Sequence, residues 1–285
     1  MRLTKINFAR CIMTNLNTIT AKNTIKTLVS AIEKNGMYGL INTATSLYAD
    51  DVRQRLHHTD FHVRTDRATR PLISLDEAIY YSSTFTQEHF DRFSHVLSHL
   101  GTHMIFAKEL TVVDYGCGQG LATLALLDYL HKNNCIANKV IHVHLLEPSA
   151  ITLVLARQYV LAMAKHVNIK VHITVHQQTL AEYLEQPLHF HADTTILHLL
   201  SNIVDIASLQ SDLFTLSKQI NASAGEHFIC AVSSYDRGFG RLRFGLTRFA
   251  VAQECFSVQS YRFNSNRCIW QDKTANGSSL YAKIA

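Results

Sequence analysis

Proline and glycine are scarce in this chain, 3 and 11 among 285 residues. That scarcity excludes a linker-rich, collagen-like or low-complexity architecture. Its six cysteines (Cys11, Cys117, Cys135, Cys230, Cys255 and Cys268) form no C-x-x-C and keep no regular spacing. Neither a zinc ribbon nor a disulfide framework is built that way, so reduced thiols and a cytoplasmic location are expected. No apolar run is long enough to cross a bilayer, and no membrane association is expected. Strong charge is missing as well: a formal net charge of +5 permits an anionic partner without requiring one.

Acidic residues are absent before Glu33, while Arg2, Lys5, Arg10, Lys22 and Lys26 are spread along the same stretch. This composition overlaps that of a mitochondrial transit peptide, so the mitochondrial matrix is the alternative location. The spacing of Ile25, Leu28, Val29 and Ile32 favours a basic arm that leads into a helix.

What is present divides near residue 106. Residues 1–105 read as a helical region, with helices over 22–35, 37–57, 75–82 and 84–100. "SLDE" (Ser74 to Glu77) and "TFTQ" (Thr84 to Gln87) both have the hydroxyl-then-Glu/Gln spacing of a capping box. The polar stretch "TDFHVRTDRATRPL" (59–72), between the second and third of these helices, reads as a loop. From residue 106 to 285, short β-branched runs alternate with helical ones: "LTVVD", "KVIHVHLLE", "NIKVHITV", "TTILHLLS" and "EHFICAVSS" are the strands. Helices are expected over 120–132, 149–165, 178–185 and 205–219. Such alternation predicts an α/β, doubly wound, mostly parallel sheet. The tail differs. "CFSVQSYRFNS", "RCIWQD" and "SLYAKIA" are extended runs joined by short turns, which predicts an antiparallel edge.

The stretch "VVDYGCGQGLATLALLDYL", residues 112–130, carries the chemistry. Gly116, Gly118 and Gly120 stand between a strand and a helix, where backbone can approach a ligand closely. A dinucleotide fingerprint would need glycine at Leu121, and a P-loop would need a lysine that "GQGLAT" lacks. Asp114 would repel a pyrophosphate and attract a cation. Glu147, ending the next strand in "HLLEPS", is placed to accept ribose hydroxyls.

Together, "VVDYGCGQG" and "VHLLEPS" resemble motifs I and II of the class I S-adenosylmethionine-dependent methyltransferases, a likeness that covers about residues 110–285. It implies a seven-stranded Rossmann-like sheet and S-adenosyl-L-methionine as cofactor. By the same resemblance, Asp114, Tyr115, Gly116, Cys117, Gly118 and Gly120 face the methionine part and Glu147 the ribose. Gln178 and Thr179 stand where relatives hold the adenine. The leading helix would fold over the cofactor, with Tyr80, Tyr81 and His89 as its candidates.

The methyl acceptor is expected at the end of the fourth strand. There "LLSNIVD" offers Ser201, Asn202 and Asp205 and lacks the Asn/Asp-Pro-Pro-aromatic signature of base-amino methyltransferases. Ser201 or Asn202 serving only as a helix cap is the competing reading. In "SSYDRGFGRLRFGLTRFA", Arg237, Arg241 and Arg243 interleave with aromatics, a pattern suited to phosphate contact and base stacking. RNA is therefore slightly favoured as acceptor; a solvated amphipathic helix is the plainer reading. The 17 histidines lack clustered co-ligands, and no metal is expected. The rival from another class is a methyltransferase fold that binds the cofactor without turnover.

Overall fold

The computed structural model describes residues 18–66, 69–98, 107–137, 139–234, 249, 258–269 and 276–284, the last two stretches as backbone. Helix α1 spans Ile19–Asp50 and starts at Thr18, whose hydroxyl accepts from the Ala21 N–H at 3.2 Å. It bends sharply at Gly36 (φ 59°, ψ −140°), the point that separates the two helices expected from the sequence. A side chain there would be doubly penalised: the φ is left-handed, and a Cβ would lie 3.1 Å from the His166 imidazole. The second half ends earlier than residue 57. A 3-10 turn at Val52–Gln54 follows, and Arg55 then bridges Asp51 and Asp76.

Two expectations for this region are corrected. Part of the polar stretch read as a loop is helix α2, His58–Thr65. It is anchored by Phe61 and Thr65, both buried, and by rings packed around Tyr80. Helix α3 runs unbroken over Leu75–Leu97, so Thr84 starts nothing. The Ser83 hydroxyl bonds back to the Tyr80 carbonyl at 2.8 Å, a partner that keeps it inside a helix. Ser74 does cap α3, accepting from the Glu77 N–H at 3.1 Å. Glu77 itself reaches the Ile73 N–H, one residue further back than a capping box requires.

Beyond these helices lies the sheet. Its strands and helices are β1 Glu109–Tyr115, α4 Leu121–Lys132, β2 Val140–Leu146, α5 Ala150–His166 and β3 Lys170–His176. They continue with α6 Leu180–Tyr183, β4 Thr195–Ser201, α7 Gln210–Ala222, β5 Glu226–Ser234, β6 Val258–Ile269 and β7 Asn276–Ile284. The spatial order is β3-β2-β1-β4-β5-β7-β6. β1 to β5 are parallel, β7 is antiparallel to β5, and β6 is antiparallel to β7. The first two tail runs belong to the single strand β6, with a register shift between Asn264 and Cys268 where a turn was expected.

This is the expected doubly wound α/β architecture. One apolar core lies between the sheet and α4 and α5, and it continues into α1 and α3 through Leu28, Ile32, Leu40 and Phe93. The other lies under α7 and α6 and includes Val113, Leu200, Leu216 and Ile229. The central strands β1, β2 and β4 are largely apolar, as a sheet covered on both faces requires. The chain leaves β1 towards β3 and returns beside β1 as β4, which creates a switch point at the carboxyl edge.

Candidate active site

The switch point holds the glycine loop. Gly116, Gly118 and Gly120 have φ of 58°, 52° and 76°, a region that disfavours residues with a Cβ. Each glycine has a different neighbour. A Cβ on Gly116 would lie 2.9 Å from Ile203, and one on Gly120 would press on Ala156 and Val160 of α5 at 3.3 Å. A Cβ on Gly118 would meet nothing within 4 Å, because Gly118 faces a cavity of about 270 Å³. The first and third glycines serve packing, and the second leaves room for a ligand.

Glu147 shapes the same loop. One carboxylate oxygen accepts from the Gly118 N–H and the other from the Ser149 N–H, both at 3.0 Å. Burial raises its pKa, and the two backbone donors oppose that rise. Each oxygen keeps lone-pair capacity, and the residue lines the cavity.

Asp114 sits behind the loop rather than on the cavity wall. It is fully buried, and one oxygen accepts from the Thr123 hydroxyl at 2.7 Å and from the Thr123 N–H at 3.3 Å. The other oxygen has no hydrogen-bond partner among the described residues. Burial pushes its pKa up to about 7, and the Glu147 charge adds to the rise. Cys117, buried beside both acids, has its thiol pushed well up, which leaves it protonated and unreactive.

Of the remaining sequence candidates, Tyr81, Gln178, Thr179, Ser201 and Asn202 line the cavity with Gly116, Gly118 and Glu147. Tyr81 hydrogen-bonds His89 at 3.0 Å. Thr179 caps α6 in a reciprocal pair with Glu182, so its hydroxyl is already engaged. Asn202 adopts φ 59°, unusual for a residue with a side chain, while its N–H bonds the Val232 carbonyl at 2.9 Å. Asp205 is buried and stands off the wall, as do Cys117 and Gly120. Tyr115 points to the opposite face of the sheet, with its hydroxyl 3.0 Å from His198. Arg237, Arg241 and Arg243 lie outside the described residues.

Two contributions escaped the sequence reading. Gln119, 1% exposed, donates to the Ala78 carbonyl at 2.9 Å and accepts from the Ser82 hydroxyl at 2.5 Å. It thereby bolts the glycine loop to α3. Residues Thr69 to Leu72 form one side of the cavity and are fastened by the Ser149 hydroxyl, which donates to the Leu72 carbonyl at 2.6 Å. Only the Arg-Pro pair, which favours extended backbone, signalled that strap in advance. Arg70, Tyr81 and Glu147 are the ionisable side chains among the described wall residues. No group of three or more His, Cys, Asp or Glu side chains among the described residues could hold a metal ion.

No protein-family model matches the chain, and no curated protein matches it. Solved structures do. One is a putative class I S-adenosylmethionine-dependent methyltransferase from Listeria monocytogenes, 13% identical, covering 98% of this chain and 88% of its own, with a TM-score of 0.42. A second is geranyl diphosphate C-methyltransferase from Streptomyces coelicolor A3(2), 12% identical, covering 68% and 78%, TM-score 0.41. A third is a putative rRNA-methylase from Clostridium thermocellum, 14% identical, covering 71% and 96%, TM-score 0.41. Likeness at this level says nothing of what this chain acts on. Its own sheet order, with a glycine loop after β1 and an acid after β2 at one carboxyl edge, is that of the class I methyltransferase fold.

Proposed function

We propose that the protein is an S-adenosyl-L-methionine-dependent methyltransferase. The observation that carries this reading is the shared placement of Gly118 and Glu147. An open glycine face and a carboxylate fixed by that glycine's own N–H border one cavity at the switch point. A zwitterionic nucleoside without phosphate suits this wall. Among its described residues the cationic side chain is a single arginine, Arg70, there is no lysine, and the Glu147 carboxylate held against the Gly118 N–H would repel a pyrophosphate at the loop.

When bound, the cofactor would supply an electrophilic methyl group on a sulfonium. Glu147 is the acceptor for the ribose hydroxyls, and Gln178 lies where an adenine edge needs a polar partner. The Gly118 face receives the methionine part. Asn202, held in a strained conformation by its bond to β5, and Ser201 present polar groups from the end of β4 for orienting the acceptor. In-line displacement needs alignment and exclusion of water more than a base. Leu72, Ile203, Ile206 and Leu209 supply the apolar wall that excludes it.

For the acceptor, the proposal is RNA, supported by the arginine–aromatic sequence around Arg237, Arg241 and Arg243. A cofactor-binding module without turnover is the second reading, favoured by the position of Asp205 off the wall. Purified protein, tritiated S-adenosylmethionine and an extract from a strain lacking the gene test both. Label in the RNA fraction supports the proposal, and label in protein or small molecules replaces RNA. Tight cofactor binding with no label in any fraction supports the second reading.

A further inference from the structure

On the sheet face away from α4 and α5, four side chains form one hydrogen-bonded line through the core. The Tyr115 hydroxyl at the end of β1 is 3.0 Å from His198 Nδ1 on β4. His198 Nε2 is 3.0 Å from His227 Nδ1 at the start of β5. His227 Nε2 then meets the Ser223 hydroxyl at 3.2 Å and the Ser223 carbonyl at 3.3 Å. Tyr115 and His198 are completely buried, and His227 is 1% exposed. The rings lie nearly parallel, 17° and 22° between planes, and Phe190 packs edge-on against both imidazoles.

Ser223 fixes where every proton sits. Its hydroxyl donates to the Ile220 carbonyl at 2.9 Å, so it has no proton left for His227. His227 Nε2 must therefore be the donor, and its Nδ1 the acceptor. His198 must then donate from Nε2 and accept at Nδ1, and Tyr115 must donate. The four groups are satisfied in this single arrangement with both imidazoles neutral. An added proton on His227 sets two N–H groups against each other unless His198 changes tautomer. That change turns an N–H towards Tyr115 and deprives the phenol of its acceptor.

Among the described residues only the Ser223 and Ala224 backbone groups favour such a charge, and burial outweighs them. Tyr115 faces the pair from β1, and Tyr183 of α6 packs on the Tyr115 ring. From α7 come Leu213, Leu216 and Ile220, and from the strands Ile196, Leu200 and Ile229. The pKa of each histidine is driven down by burial, and no carboxylate is among the groups that act on either.

We propose that the Tyr115–His198–His227–Ser223 line is an acid-sensitive latch that fastens β1 to β4 and β5. Proton uptake by the two histidines accompanies its release, and the strand end it frees is the one that leads into Gly116. The latch is a property of the fold and stands whether or not the cavity takes S-adenosylmethionine.

Nitrogen-15 spectra of histidine-labelled protein test the proton arrangement. At about pH 7.5 both rings should appear as neutral Nε2–H tautomers, and at about pH 6 both should still be neutral in the folded protein, below the usual histidine value of about 6.5. Hydrogen exchange of β1, β4 and β5 tests the release. Each histidine that takes up a proton on opening makes the opening constant rise tenfold per pH unit below about 6.5. Asp114 works in the opposite direction, so the comparison is between variants. The opening constant of His227→Gln should depend on pH about tenfold less per unit than that of the wild type. Equal pH dependence overturns the latch, as does a charged or Nδ1–H imidazole in the folded wild type. If His227→Gln does not fold, the wild-type spectra decide.

Discussion

Asp114→Asn should change stability with a sign that depends on pH. In the folded protein burial holds the Asp114 carboxyl up to about 7, against 3.8 for an ordinary aspartate. Well below that ordinary value both states are protonated and the group costs nothing. As pH rises from about 4 to 7, the unfolded chain ionises while the folded protein keeps its proton. Stability therefore falls, by about 1.4 kcal/mol per pH unit. The full cost above pH 7 is on the order of 4 kcal/mol, the product of about three units and that slope. At about pH 5 roughly 1–2 kcal/mol of it is already present.

Asparagine removes the cost and introduces another. Its carbonyl can take the Thr123 bonds, but its NH₂ then occupies the place of the unpartnered oxygen, at about 1–3 kcal/mol. That penalty does not titrate. The melting temperature of the variant minus that of the wild type should rise between about pH 5 and pH 8 by the equivalent of roughly 2–3 kcal/mol. At about 2–4 °C per kcal/mol this is roughly 5–10 °C. A difference that is the same at both pH values would show that Asp114 is already ionised in the folded protein.

Other outcomes follow from the same geometry. Binding of cationic S-adenosylmethionine near pH 7 should release up to about half a proton as Asp114, half ionised at that pH, loses the rest, read by calorimetry in buffers of different ionisation heat; binding with no proton exchange would place the cation elsewhere. Glu147→Ala should weaken S-adenosylhomocysteine by roughly 10- to 150-fold, since charge-assisted bonds are worth about 1.5–3 kcal/mol. It should also lower the melting temperature, because the Gly118 and Ser149 N–H groups lose their acceptor; intact affinity would remove Glu147 from the site. Gly118→Ala should fold at a cost of about 1–2 kcal/mol for its φ and still lose the ligand, whereas Gly116→Ala, which drives a methyl into Ile203, should lose more stability. Equal melting temperatures for the two variants, or unimpaired binding by Gly118→Ala, would contradict the division of labour in the loop.

The sequence by itself determined the parts whose physics is local. The β1–glycine loop–α4 unit, the five parallel strands and the bend at Gly36 follow from side-chain period and from glycine's backbone freedom. The Asp114 and Glu147 positions could also be placed at strand ends before any contact was known. Tertiary structure decided which way these groups face and what they touch. Tyr115 and Asp114 are neighbours on one strand, so their side chains leave opposite faces, and neither reaches the cavity wall. Helix α2 was invisible because its polar surface gives no apolar period; it is held by Phe61 and Thr65 against a surface formed elsewhere in the chain. The Thr69–Leu72 strap reaches the site through Ser149, 77 residues from Leu72. His198 and His227 lie 29 residues apart and meet because parallel pairing sets β4 beside β5. Contacts of this kind depend on register and crossover between distant segments, and no window of sequence contains both partners.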